Sequence, residues 1–123
     1  MLIRYKKTME KIAMGLLSFM PQHKEIKNLM ETIQQYDQLE NWQLYLLKRN
    51  EEYIGAIGVI VENQVAIIQH VTVIPSYRGE GVGKEMICQL HQLGSFEAIQ
   101  SSNNEDPFIQ KCMKEINEQS CDE

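Results

Sequence analysis

The chain has little of what marks a cross-linked scaffold, a membrane protein or a nucleic-acid binder. It has three cysteines, Cys88, Cys112 and Cys121, and none forms a Cys-x-x-Cys pair. An odd count without that spacing argues against a disulfide framework or a zinc site, and reads as reduced thiols in a cytoplasmic protein. No apolar run approaches the ~18–20 residues that span a bilayer, so no membrane partner is expected. The basic N-terminus is followed by an amphipathic pattern and has neither a continuous apolar core nor a small-residue cleavage site. Positive charge is also scarce: 12 Lys and Arg face 17 Asp and Glu, for a net charge of −5. A general nucleic-acid binder would usually be basic, so none is expected here. The acidic balance does not exclude an anionic small ligand, because clustered backbone amides can hold a phosphate inside an acidic protein.

What is present is a globular balance, 43% hydrophobic and 24% charged over 123 residues. That is enough for a single domain over residues 1–123 with one core. Residues 2–5 read as a short strand. Thr8 is placed to cap a helix on which Ile12, Leu16, Leu17 and Met20 repeat at helical spacing until Pro21. A second helix is expected over residues 23–36, with a core stripe of Ile26, Leu29, Met30, Ile33 and Tyr36. The pattern then changes to strands at residues 42–48, 53–61 and 65–73, separated by polar turns, which suggests an antiparallel meander. Gly55 and Gly58 inside the second of these point to a bulge or a close backbone approach.

Pro75 ends the third strand, and a turn carrying Gly79, Gly81 and Gly83 opens a helix running to about Leu93. Its apolar face is Val82, Met86, Ile87, Leu90 and Leu93, with Gly94 in a C′ position. Residues 96–100 read as a strand, and Asp106-Pro107 starts a last helix. A strand, a glycine turn and a helix N-terminus form an anion site in principle. Glycine allows a sharp turn and close ligand approach, and the first helical N–H groups lack intrahelical partners. Arg78 and Lys84 flank the turn. A P-loop is ruled out because Glu85 stands where a magnesium-binding hydroxyl is needed. The dinucleotide fingerprint fails because Lys84 occupies its third glycine position. A glycine turn that only caps its helix is the bland alternative.

The run from Val71 to Lys84 resembles the central motif of the GNAT N-acetyltransferases, [RQ]-x-x-G-x-[GA] after a strand ending V-x-P, with Arg78, Gly81 and Gly83 filling it. The order of elements is similar over most of the chain. It is similar in particular to the small RibT-type acetyltransferases associated with riboflavin biosynthesis genes in Gram-positive bacteria. The resemblance implies an α/β (α+β) GNAT fold: a mixed, mostly antiparallel sheet flanked by helices, with a shortened C-terminal end. It implies acetyl-CoA as acyl donor, no metal, and a small-molecule or peptide amine as acceptor. The pyrophosphate would rest on the amides of Gly79, Glu80, Gly81, Val82, Gly83 and Lys84. The pantetheine arm would pair with the strand ending at Val73, and the amide of Val71 would meet the acetyl carbonyl. Asn103, Asn104 and the last helix would flank the arm. The missing closing strands would leave an edge for a homodimer.

Two departures concern proton transfer. The position of the family's usual glutamate base is Ile67, and that of its usual tyrosine acid is Ile109. His70, next to Val71, is the candidate base near neutral pH. Its bland reading is a histidine packed between Ile68 and Thr72 on one strand face, and a water relay is a third option. Tyr77 is expected to pack over the turn, His23 and His91 to lie on the surface, and Glu51, Glu52 and Glu62 to be solvated in turns. Three functions fit these residues: an N-acetyltransferase, a non-catalytic acyl-CoA-binding regulatory module, or a phosphate-binding interaction protein.

Overall fold

A computed structural model of the chain describes residues 2–19, 26–93 and 96–101. The elements in order are β1 (Leu2–Arg4), a 3-10 turn (Lys7–Met9), α1 (Glu10–Leu17), α2 (Ile26–Gln38), β2 (Trp42–Arg49), β3 (Glu52–Glu62), β4 (Val65–Val73), a 3-10 turn (Pro75–Tyr77), α3 (Val82–Gln92) and β5 (Ala98–Ser101). The sheet order is β1-β2-β3-β4-β5. The first three pairings are antiparallel, and β5 joins β4 in parallel. This is the mixed, mostly antiparallel sheet that the meander and the α3–β5 crossover lead one to expect.

The two hairpins are tight. Arg49 pairs with Glu52 and Glu62 with Val65, leaving two residues in each loop. Asn50, Glu51, Asn63 and Gln64 all take positive φ. Positive φ at both loop residues gives a turn whose twist matches that of the flanking strands, and asparagine in first place tolerates it better than most residues.

Side chains from the strands alternate between two apolar clusters. Tyr45, Leu47, Ile57, Val59, Ile68, Val71 and Val73 meet Val82, Met86, Ile87 and Leu90 of α3. On the other face, Leu44, Leu46 and Ala56 meet Ala13, Leu16 and Leu17 of α1 and Leu29, Ile33 and Tyr36 of α2. Several helical expectations are corrected. Ile12, Met30 and Leu93 are 39%, 49% and 47% exposed. Ala13 takes the buried place on α1, and Leu93 lies just past the end of α3, where the apolar face has run out. Thr8 lies inside the 3-10 turn, so Met9 precedes α1 and no side chain caps it. The final strand starts at Ala98, two residues later than expected.

The reduced-thiol reading is also corrected, because Cys88 is disulfide-bonded. Sequence spacing does not report spatial proximity, and a bridge needs only that the fold bring two Cα atoms within roughly 4.4–6.8 Å. Cys112 and Cys121, the chain's other cysteines, lie outside the described residues, as do Pro21, His23, Gly94 and the helix expected after Asp106.

Candidate active site

The glycine turn is held open by backbone conformation. After Pro75–Tyr77, Arg78 returns to extended geometry. Gly79 and Gly81 then take φ of 84° and 78°. A side chain at either would be strained, since L residues are disfavoured there. A Cβ built on either meets nothing within 4 Å, so no described residue fills the space beside them. Gly81 is the N-cap of α3 and offers no side chain to cap it. The Glu85 N–H closes the first turn on the Gly81 carbonyl at 2.9 Å. The N–H groups of Val82 and Gly83, one turn earlier, have no acceptor within the helix. The Val82 side chain is buried among Met86, Ile87 and Leu90. Packing therefore anchors this helix end to the sheet, and its dipole makes it attractive to an anion.

Arg78 has a more specific place than its flanking position suggested. Its Nε donates to the Val73 carbonyl at 3.1 Å, and its backbone N–H to the Pro75 carbonyl at 3.2 Å. It clamps the turn to the strand end. Glu80 is exposed, and Lys84 is half-buried in the first turn of α3. Asn103 and Asn104 lie outside the described residues.

Beside the turn, one edge of β4 is open. β5 pairs only with Val65–Ile68. Among the described residues, no strand continues along that edge from Gln69 to Val73. The Ile74 N–H bonds back to the Ile54 carbonyl of β3 at 2.9 Å. Backbone groups alternate along a strand, so the amides of Val73 and Val71 face the open edge.

The same stretch contains a bulge. Pairing with β3 steps from Val59↔Ile68 to Gly58↔His70, leaving Gln69 as the extra residue. The bulge reverses the facing of all that follows. Ile68 packs toward α3, whereas His70 and Thr72 face α1 and α2, which corrects the grouping of these three on one face. The Thr72 hydroxyl donates to the Leu16 carbonyl of α1 at 3.0 Å. The ring of His70 stands 5.8 Å from that of Tyr36, edge to face, and Nδ1 of His70 is 2.6 Å from the Tyr36 hydroxyl. Burial pushes the Tyr36 phenol far above its usual range, so it stays protonated.

The chain matches the model of the acetyltransferase (GNAT) family over residues 13–99, more than half its length. The chain belongs to the GNAT acetyltransferase family. A relative from Bacillus methanolicus, named an N-acetyltransferase in the lysA 3′ region, is 48% identical over 113 residues, covering 91% of this chain and 94% of its own. Among solved structures, the aminoglycoside acetyltransferase AAC(6′)-Iy with a bisubstrate analogue superposes at a TM-score of 0.77, with 16% identity, over 100% of this chain and 92% of that one. A possible acetyltransferase from Clostridium difficile does so at 0.75, with 11% identity, over 100% and 92%. At such identities the structures speak to the fold, which is that of the GNAT acetyltransferases.

Within this acetyltransferase, Ile67 pairs with Ile60 and Gln100 in the sheet and brings no titratable group. Ile109 lies outside the described residues. Tyr77 packs against the α3-side cluster and reaches Glu52 at 3.4 Å. Three residues near the site were not anticipated from the sequence. The sequence presents Tyr36 as part of a core stripe, and its one hint of a further role is Gly58 on β3. Arg49 pairs with Glu85, whose other oxygen accepts from Gln89 at 3.0 Å, and lies over the Tyr77 ring at 5.9 Å. Gln89 in turn accepts the Leu2 N–H at 2.9 Å. Arg49 thus offsets the carboxylate in the first turn of α3; the acidic residue beside an anion-binding motif was the available signal. No group of three or more metal-ligating side chains occurs among the described residues, and no described helix is long and apolar enough to cross a membrane.

A cleft of about 510 Å³ opens where β1 ends beside the C-terminal part of α2. Tyr5, Lys7 and Asp37 are among its lining residues. Burial first, and the nearby Asp37 carboxylate second, push the Tyr5 phenol well up. By distance and angle its hydroxyl has no partner among the described residues. No residue of the glycine turn lines the cleft, but Tyr36, whose hydroxyl meets Nδ1 of His70 on β4, does.

Proposed function

We propose that this protein transfers an acetyl group from acetyl-CoA to an amine by direct attack of the amine nitrogen on the thioester. The observation that carries the reading is the adjacency of two features: an α3 N-terminus opened by two positive-φ glycines, and a β4 edge, unpaired among the described residues, presenting the amides of Val71 and Val73. Together they fit a long ligand with an anionic end and an amide-bearing arm. The open space beside Gly79 and Gly81 fits close approach by a pyrophosphate. A related fold, AAC(6′)-Iy, has been determined in complex with CoA at a TM-score of 0.74, which supports the donor.

In this reading the amides of residues 79–84 hold the pyrophosphate, and Arg78 keeps the turn in shape. Val73 pairs with the pantetheine arm, and the Val71 N–H donates to the acetyl oxygen as negative charge develops there. A fixed donor of this kind contributes about 3 kcal/mol in comparable sites. Asn103 and Asn104 are assigned to the flank of the arm. His70, next to Val71 and facing α1 and α2, is assigned to the acceptor side.

Titration calorimetry with acetyl-CoA tests the reading; no heat of binding at millimolar ligand would end it. The acceptor is a small-molecule or peptide amine. The solved relatives direct the panel to aminoglycosides, and the RibT-type resemblance directs it to amines of riboflavin biosynthesis. Family membership gives no support to the non-catalytic alternative. Turnover of any amine in that panel would exclude it.

A further inference from the structure

We propose that Tyr36 holds His70 in the tautomer protonated on Nε2, so that His70 acts in acetyl transfer as a hydrogen-bond donor and not as the base for the amine. This rests on the acetyltransferase reading, but its first test does not.

The Tyr36 hydroxyl has one hydrogen-bonding partner among the described residues, Nδ1 of His70 at 2.6 Å. A phenol donates one proton and accepts at its oxygen, whereas a neutral imidazole donates from one nitrogen and accepts at the other. Two arrangements are therefore open. If Nδ1–H donated to Tyr36, the phenol proton would sit in the interior with no acceptor among the described residues. A buried donor left unpaired costs its full desolvation. If Tyr36 donates to Nδ1, both groups are satisfied and the imidazole proton resides on Nε2. Burial keeps the phenol protonated, so it always has a proton to give. The second arrangement is favoured.

The surroundings are shaped for this contact. Gly58 is the direct cross-strand partner of His70. A Cβ at Gly58 would stand 1.9 Å from the Tyr36 hydroxyl oxygen and 2.6 Å from Cζ. Only a residue without a side chain lets the phenol pass between α2 and β3 to the histidine. The Trp42 ring meets Tyr36 edge to face at 5.3 Å and holds its other side. The bulge at Gln69 turns His70 toward α2 in the first place.

A histidine protonated on Nε2 and occupied at Nδ1 has no lone pair to offer the amine. As the C–N bond forms, the C–S electron pair leaves with the coenzyme A sulfur as a thiolate; the proton lost from nitrogen then goes to water, and the thiolate takes one back from water. Tyr36 is a positioning residue that acts through His70.

Long-range 1H–15N correlation spectra of the full chain at neutral pH read the tautomer directly. The expected result is a protonated Nε2 and a lone-pair Nδ1 in the wild type, with a mixed tautomer in Tyr36→Phe. A protonated Nδ1 in the wild type overturns the proposal, whatever the variant does. In turnover, His70→Gln supplies a donor near the Nε2 position and no base. It should keep kcat/KM within about tenfold, while His70→Ala loses on the order of 100-fold, the loss typical of a missing donor. Equal losses in both variants, or none in His70→Ala, also overturn it. If the wild type fails to bind acetyl-CoA, the acetyltransferase reading falls, and the spectra still decide the tautomer.

Discussion

On the α3 side of the sheet, Ile57, Val59, Ile68, Val71 and Val73 meet Met86, Ile87 and Leu90 through apolar contact. On the α1/α2 side, the apolar cluster is crossed by directional bonds, from Thr72 to Leu16 and between Tyr36 and His70. Apolar contact fixes where a helix lies without fixing individual atoms. That suits the α3 side, where the backbone amides at the helix end and along β4 are proposed to do the binding. Hydrogen bonds fix atoms, and that suits the side where one imidazole nitrogen must carry a proton. The two kinds of glycine follow the same division. Gly81 is required for its φ and has open space beside it, whereas Gly58 is required for space.

Substitutions can break this contrast, and the largest effect is expected on the apolar side. Leu90→Ala removes a fully buried side chain and should cost about 3 kcal/mol in urea unfolding, with acetyl-CoA affinity retained in the folded fraction. Gly58→Ala should cost about 2 kcal/mol, since Tyr36 must be displaced from the position the new Cβ would take; loss of the Tyr36–His70 bond in the NMR spectra checks the cause. Thr72→Val keeps the shape but removes the side-chain donor to the Leu16 carbonyl and leaves it only backbone donors such as the Phe19 N–H, at about 1 kcal/mol by the same unfolding assay. Arg49→Met should change stability by less than about 1 kcal/mol, because the pair with Glu85 is partly exposed. It should still weaken acetyl-CoA binding roughly threefold by calorimetry, because the Glu85 carboxylate, still bonded to Gln89, then stands without an opposite charge at the helix end proposed to hold the anion.

Alkaline pH tests the buried phenols on the α1/α2 side. The pKa values of Tyr5 and Tyr36 are raised in the folded chain, chiefly by burial. Their protonated forms are favoured by folding, so this contribution is intact below the unfolded phenol value of about 10 and is lost as pH rises above it. Denaturant midpoints should therefore fall above that pH, and Tyr36→Phe should flatten the fall.

The same division explains what could be read in advance. Runs rich in aromatic and aliphatic residues, bounded by polar turns, placed β2, β3 and β4 within a residue of where they lie. The glycine turn was legible because positive φ restricts the residue type. Gly55 and Gly58 correctly pointed to close approaches, but not to what approaches: Met86 and Thr72 in one case, Tyr36 in the other. The bulge at Gln69 has no signature in VAIIQHVTV. Without it, alternation groups Ile68 with His70, and the facing of the histidine comes out wrong. The Tyr36–His70 bond and the Arg49–Glu85 pair join residues 34 and 36 positions apart. Side-chain pairing across elements depends on packing that no local pattern encodes, and the same is true of the disulfide at Cys88.

Amide hydrogen exchange with and without acetyl-CoA tests most directly that the head of α3 and the free margin of β4 form one binding surface. Added ligand should slow exchange at Val71, Val73 and the amides of residues 79–84 together. Protection that leaves these amides unchanged and appears instead around Tyr5 and Asp37 would contradict it.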